Sequence, residues 1–373
     1  MTAPRIEIDL FKIRQNTRLL VDRLAARGIA VAGVTKAVCG DPAIARAMLG
    51  GGVSGLADAR ISNVKRMRDA GVTAPITMIR SAMPSETGDI VRYCSASYHT
   101  DAGVMAQISA AALRQGRVHD IILMVEMGDM RDGIMPKDVA DTAALIGEMP
   151  GVALRGIGAN FACFGSIAPD ATTMAVFSGL ADDIETACGF YPQTVSGGGS
   201  ANLTWALAAG TKGRVNELRL GEAILLGLDP VSGDPITGLH NDAFTLVAEV
   251  IETISKPRPA PLHLVDPVLM ALHGMSDGDV PSRSVFAIGM QDTDIGGLTF
   301  PSRLTLIGAT SDHMVVEASG KAMRAGDEIR CPMNYTALMR AMNAGDVERV
   351  YVSQTAANGN SAARPDRPVL SLV

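Results

Sequence analysis

Eight short apolar runs with a helical stretch between each pair fill residues 29–220 and predict a TIM (β/α)8 barrel. Several runs, such as Ile121-Ile122-Leu123-Met124-Val125, are continuous rather than alternating, as strands buried on both faces require. After residue 240 the rhythm changes to strand-like segments separated by Gly, Pro, Asp and Ser, which predicts a C-terminal, mainly β domain. The barrel is assigned to residues 1–238 and the second domain to 239–373, with the strand-like residues 1–10 a candidate to pack with the second domain. A doubly wound open sheet is the rival fold, but no GxGxxG follows a strand, so its dinucleotide-binding version lacks its fingerprint.

Residues 11–27 read as a helix with Leu10, Ile13, Thr17, Leu20 and Leu24 on one stripe and Gly28 as the stop. Barrel strands are expected at 29–35, 53–57, 75–79, 95–99, 120–126, 152–161, 193–197 and 215–220. Helices fall between them at 42–50, 59–70, 85–93, 102–116, 137–148, 170–189 and 200–209. Asp41-Pro42 opens one of these helices and Asp69-Ala70-Gly71 closes another. The second domain carries strands at 244–254, 284–289, 303–308, 313–318, 327–331 and 348–353 and a helix at 335–343. Lys256-Pro257-Arg258-Pro259-Ala260-Pro261 reads as a stiff surface loop.

The 373 residues suffice for two domains, and 47% hydrophobic with 19% charged residues suits a large core rather than a disordered chain. A net charge of -6 gives no general pull toward nucleic acid or anionic membranes. Apolar runs break well before the roughly 18 residues of a membrane span, and no signal-peptide core is present. The five cysteines are scattered and form no CxxC pair, which argues for reduced thiols in a cytoplasm and against a disulfide framework. The six histidines show no paired metal-ligand spacing.

In a barrel of this kind, chemistry gathers at the C-terminal ends of the strands. The first strand ends at Lys36, where burial would strip hydration, lower the amine pKa and free it for imine chemistry. A surface lysine is the plainer reading of Lys36 alone. Strand seven ends in Ser196-Gly197-Gly198-Gly199-Ser200, whose small residues let backbone N–H groups approach an anion at a helix start. Arg219 closes strand eight, where a salt bridge with Glu217 or Glu222 is the alternative, and Arg131 lies beyond strand five, free to pair with Asp129 or Asp132. Asn160 ends strand six. Together a strand-end lysine, a phosphate turn and two barrel-mouth arginines describe a site for a phosphorylated aldehyde, and pyridoxal phosphate fits it.

These segments resemble the alanine racemase family of fold-type III pyridoxal-phosphate enzymes, in its ornithine racemase-type branch. Glu7-Ile8-Asp9-Leu10 with Asn16 is similar to the family's opening, Val34-Thr35-Lys36-Ala37 to its Schiff-base motif, and Arg219-Leu220-Gly221-Glu222 to its last barrel strand. Met127-Gly128-Asp129-Met130-Arg131-Asp132-Gly133 and Gly199-Ser200-Ala201-Asn202 are shared with that branch. The resemblance implies that Lys36 binds the cofactor and serves as a base, and that Arg219 bonds the pyridine nitrogen. It implies that Ser200 and the Gly199 amide, with the backbone of Gly221 or Glu222 and with Tyr335, hold the phosphate, and that Asn160 stands where many relatives have a histidine. Arg131, Ser311 and Asp312 would contact substrate, Arg131 or else the cofactor's phenolic oxygen. An arginine beside the pyridine nitrogen disfavours its protonation and weakens the electron sink, which suits removal and return of a Cα proton better than transamination.

The implied activity is a pyridoxal-phosphate-dependent amino acid racemase acting on a basic or diamino acid such as ornithine. It would work as a cytoplasmic homodimer whose sites are completed by the partner's β domain. A non-catalytic pyridoxal-phosphate carrier and a decarboxylase or aldolase are the alternatives. The family's second base, a tyrosine in a Gly-Tyr motif, is replaced by Met290 in Ala287-Ile288-Gly289-Met290-Gln291-Asp292, and the tyrosine that follows the lysine is replaced by Cys39-Gly40. Asp292 is the first choice for the second base, with Cys39, a water or Lys36 alone as alternatives and a solvated turn carboxylate as its bland reading.

Overall fold

The computed structural model describes residues 2–162, 168–255 and 282–352. Strand β1 (Arg5–Asp9) leads into α1 (Leu10–Ala25), whose first turn is capped by the Asp9 carboxylate accepting from the Phe11 and Lys12 N–H groups. Eight parallel strands then close a barrel: β2 (Ala30–Val34), β3 (Gly55–Asp58), β4 (Ile76–Met78), β5 (Ala96–His99), β6 (His119–Val125), β7 (Val152–Ala159), β8 (Thr194–Ser196) and β9 (Glu217–Leu220). Closure is made by β9 on β2, with Ala30 opposite Glu217 and Gly33 opposite Leu220.

The outer helices are α2 (Pro42–Gly50), α3 (Ile61–Asp69), α4 (Thr87–Tyr93), α5 (Ala102–Arg114), α6 (Val139–Gly147), α7 (Ala171–Cys188) and α8 (Leu203–Leu207). Asp41 caps α2 through the Ala43 and Ile44 N–H groups, with Pro42 in the first turn. Gly71, at φ +80, follows α3. The helix expected at 200–209 divides into a tight turn over Ser200–Asn202 and the short α8. A further helix, α9 (Glu222–Leu226), was not anticipated, because five residues are too few to show a period.

The second sheet contains β10 (Phe244–Ser255), β11 (Ser282–Phe286), β12 (Leu304–Ala309), β13 (Met314–Ala318), β14 (Glu328–Cys331) and, after α10 (Tyr335–Asn343), β15 (Glu348–Val352). Its order is β12-β13-β11-β10-β1-β15, with β14 also on β10. The N-terminal strand β1 thus belongs to this sheet, antiparallel to β10 and parallel to β15. Arg5 is tied there to Glu7 at 3.0 Å and to Glu328 at 2.6 Å, and Arg330 also pairs with Glu7. The proline-rich segment 256–261 lies outside the described residues.

Two histidines are buried around one hydroxyl. Ser97 Oγ lies 2.6 Å from His99 Nε2 and 2.8 Å from His119 Nε2, and burial pushes the imidazoles down to about 3 and about 4. An unfolded histidine titrates near 6.5, so below that pH the unfolded chain binds protons that the folded chain refuses. Stability from this pair is therefore complete above about pH 6.5 and is lost as pH falls toward the folded values. Each histidine is expected to cost about 2 kcal/mol at pH 5 relative to pH 8. Thermal melts at the two pH values check this: His119→Gln should lose less stability on acidification than the parent, and equal losses would refute it.

Candidate active site

The Lys36 segment is fixed at both ends. On one side Thr35 Oγ donates to Asp58 Oδ2 at 2.6 Å, and the other Asp58 oxygen accepts from the Arg60 N–H and from Asn63 Nδ2. On the other side the Asp41 carboxylate accepts from the Tyr351 hydroxyl at 2.6 Å, and Cys39 Sγ donates to the Met342 carbonyl at 3.4 Å. Helix α10 packs against Lys36–Val38, and Tyr335 stands in its first turn behind the Asn334 cap. Thr35, Ala37 and Val38 are buried, but Lys36 itself is exposed. The desolvation expected from its strand-end position is therefore not supplied by the chain's own packing, because the side chain leaves the core that its backbone occupies.

Arg219 is 5% exposed and points into the barrel. Its Nη1 donates to Ser196 Oγ at 2.6 Å and to the Tyr98 hydroxyl at 3.1 Å, and its Nη2 donates to the Ala159 carbonyl and Asn160 Oδ1, both at 2.8 Å. A guanidinium has five N–H bonds. Among the described residues four are used, which leaves Nε–H to offer a ligand. The ion pair with Glu217 or Glu222 considered from the sequence is replaced by these neutral acceptors. The guanidinium carbon lies over the Tyr98 ring, 4.9 Å from its centre. Gly158 makes room for it: a Cβ there would sit 2.5 Å from the Tyr98 ring. Tyr98 and Ser196 were not singled out from the sequence.

Beside Arg219 the glycine turn and the start of α9 meet. The Arg219 N–H donates to the Gly198 carbonyl at 2.9 Å, and the Ala223 N–H donates to Ser200 Oγ at 3.2 Å. Gly198 adopts φ +97, and a Cβ on it would overlap the Asn202 carboxamide. At Gly221 a Cβ would press on Val34 at 3.2 Å. Gly199, Ser200, Gly221 and Glu222 are thereby brought into one cradle. Burial pushes the Glu222 carboxyl up to about 6, with Asp229 adding to the rise and Lys36 opposing it.

The remaining expected residues lie elsewhere. Arg131 is exposed on the loop after β6 and pairs with Asp132 at 2.9 Å and Asp129 at 3.5 Å. Ser311 and Asp312 lie on the β12–β13 turn, where Asp312 accepts from Ser311 Oγ at 3.1 Å and stands 3.1 Å from His313 Nδ1. This turn is bonded to the Met290 turn: the Met290 N–H donates to Thr310 O and the Gln291 N–H to Ser311 O. Met290 is 56% exposed. Asp292 is buried, not solvated, and its Oδ2 accepts from the Gly289 N–H at 2.8 Å. Its carboxylate closes its own turn, which argues against the base role expected of it. Among the described residues no group of three or more His, Cys, Asp or Glu is placed to hold a metal ion, and no helix is long and apolar enough to cross a membrane.

Residues 8–230 match the alanine racemase N-terminal domain family. A lysine racemase of Thermotoga maritima is 33% identical over 94% of this chain and 99% of its own length. An ornithine racemase of Acetoanaerobium sticklandii is 29% identical over 93% of this chain and 99% of its own. The crystal structure of a D-threonine aldolase from Filomicrobium marinum superposes with a TM-score of 0.72 at 16% identity, covering 94% of this chain and 92% of that one, a likeness of fold alone.

Gly198→Ala is expected to destabilise by about 1–3 kcal/mol, since both its φ and its space are denied to a side chain. Gly88, with open space around it in α4, is the control. Thermal melts should show a clear loss for Gly198→Ala and none for Gly88→Ala; matching melts would mean that the turn is not constrained as described.

Proposed function

Because the chain belongs to the alanine racemase family, we propose that it is a pyridoxal-phosphate-dependent racemase of basic amino acids. The observation that carries this reading is the convergence of the Gly198–Ser200 and Gly221 cradle with a clamped Arg219 at the barrel mouth that Lys36 borders. The donor set fits the cofactor. Lys36 offers an amine to its aldehyde. Gly199, Ser200, Gly221 and Glu222, with Tyr335, would hold its phosphate. Arg219 would meet its ring nitrogen. When bound, pyridoxal phosphate supplies the electron sink that makes an amino acid's Cα–H acidic.

The chain's own residues do the rest. Lys36 carries the Cα proton on its ε-amine on one face. Arg219 keeps a permanent charge and one free N–H, and such a donor opposes protonation of the acceptor that takes it. Asn160 fixes one edge of that guanidinium in the place where relatives carry a histidine. Arg131, Ser311 and Asp312 are assigned to the substrate's polar groups. Lysine and ornithine, the amino acids in the relatives' names, are both diamino acids, which supports a substrate of that class.

For the opposite face we assign the proton carrier to His313 of a second copy in a homodimer with shared sites. Asp292 is committed to its turn, and burial pushes the Cys39 thiol up, away from the thiolate. His313 stands on the same paired turns as Met290, with Nδ1 at the Asp312 carboxylate and Nε2 left to exchange a proton. The free thiols Cys39, Cys94 and Cys188 suit a reducing, cytoplasmic setting.

Two experiments test this. Purified protein incubated in D2O with each common amino acid and with ornithine should exchange Cα–H with inversion for lysine or ornithine. Lys36→Ala should lose both the exchange and the visible absorbance of the bound cofactor. Absorbance without exchange would favour a carrier, and cleavage products would favour a lyase. Mixing Lys36→Ala and His313→Asn copies, each inactive, should restore about a quarter of the activity, because half of the random dimers hold one intact site. No recovery would remove either His313 or the shared site.

A further inference from the structure

Behind Arg219 lies a carboxylate that the mechanism above does not use. Glu217 begins β9 two residues before Arg219, so their side chains share a strand face. Its partner across the ladder is Ser196, whose Oγ accepts from Arg219 Nη1 at 2.6 Å and whose hydroxyl works against the effect of burial on the Glu217 carboxyl. We propose that Glu217 is a positioning residue that sets, through Ser196, the electrostatic field that Arg219 presents to its ligand. This rests on the pyridoxal phosphate reading for what the arginine acts upon.

The physical case is a count of charges and protons. Ser196 has one proton, and while its oxygen accepts from Arg219 that proton is available to Glu217 or to the Tyr98 oxygen, both of which it holds down. With Glu217 ionised the two side chains sum to zero charge, and the Ser196 hydroxyl has a carboxylate as a candidate acceptor. With Glu217 protonated the pair carries a net positive charge, and the hydroxyl loses its carboxylate acceptor. Burial pushes Glu217 toward the protonated form, and Arg219, Ser196 and Arg155 pull it back. The groups facing it are Arg219 from β9, Ser196 from β8, Arg155 from β7 and Tyr98 from β5; on β2 its partner is the uncharged Ala30. Arg155 is itself bound to Asp120 at 2.7 Å, which leaves Arg219 as the dominant positive charge. A carboxylate behind the guanidinium softens its field at Nε–H. Removing that carboxylate strengthens the opposition to ring-nitrogen protonation and weakens the electron sink.

Glu217→Gln keeps shape and hydrogen bonding but fixes the uncharged state. In the holoenzyme the visible absorbance should show an acid-side inflection that the variant lacks, with the variant holding the low-pH spectrum throughout. Its kcat should fall by about tenfold, the equivalent of a one-unit shift in an ionisation, while KM changes little. Ser196→Ala should move the wild-type inflection with Glu217 still present. A variant with the parental spectrum and pH profile, altered only in melting temperature, would overturn the proposal. One readout needs no cofactor. An acid whose folded pKa is raised loses stability as pH climbs from its ordinary value of 4.5 through the raised one. The parent should therefore lose stability relative to Glu217→Gln across that window even in stripped protein. If this relative loss appears but no cofactor binds, the functional reading fails while the buried titration stands; if it is missing, the proposal falls.

Discussion

A cation held inside a closed barrel is the constraint on which the mouth of this protein depends. Burying a guanidinium costs several kcal/mol unless its protons are taken up. Here the acceptors come from β5, the end of β7 and β8, while the arginine itself comes from β9. No two neighbouring strands could satisfy it. The barrel must close, and close in one register, for Tyr98, Ala159, Asn160 and Ser196 to reach the same group. The glycines of β7 follow from this. Gly158 admits the Tyr98 ring, and a side chain at Gly156 would collide with the Thr194 backbone where β7 meets β8.

The same logic of a fixed backbone beneath an exposed side chain governs Lys36. Its segment is pinned to β3 by Thr35 and Asp58, and to the second domain by Asp41, Cys39 and α10. Asp41 does two jobs: one oxygen caps α2 while the other receives Tyr351 from β15. The strand that completes this contact pairs with β1, so the chain's first strand helps to hold the lysine loop in place. A fixed backbone with an exposed side chain places the amine without burying it, so the chain's own packing does not desolvate it.

The elements themselves were legible in the sequence because barrel strands are continuous apolar runs and their helices carry clear caps. The lysine, the glycine turn and Arg219 were legible because they fall at strand ends, where local pattern and position coincide. Tyr98 and Ser196 were not, since each is an ordinary strand residue whose importance arises from the barrel's stagger, a non-local property. Burial of Lys36 was misjudged for a related reason: strand periodicity reports where a backbone goes, not where a long side chain ends. Asp292 was the first choice for the second base, with a solvated turn carboxylate as the alternative, and the turn of four residues is short enough for the carboxylate to reach back to Gly289 and bury itself.

Fold alone does not select the chemistry, since a D-threonine aldolase shares the architecture at 16% identity. What differs between such proteins must lie in the few side chains set on it. In this chain the barrel supplies a cradle, a clamped cation and an amine, which suit binding and one proton transfer. The second domain supplies a paired-turn platform carrying Met290, Asp312 and His313, and no metal cluster is formed among the described residues. Gly289 is required for that platform, because any side chain on it would collide with the Ser311 backbone. Two touching turns, one with an exposed apolar tip and the other with an imidazole held by a carboxylate, thus rest on the absence of a single Cβ.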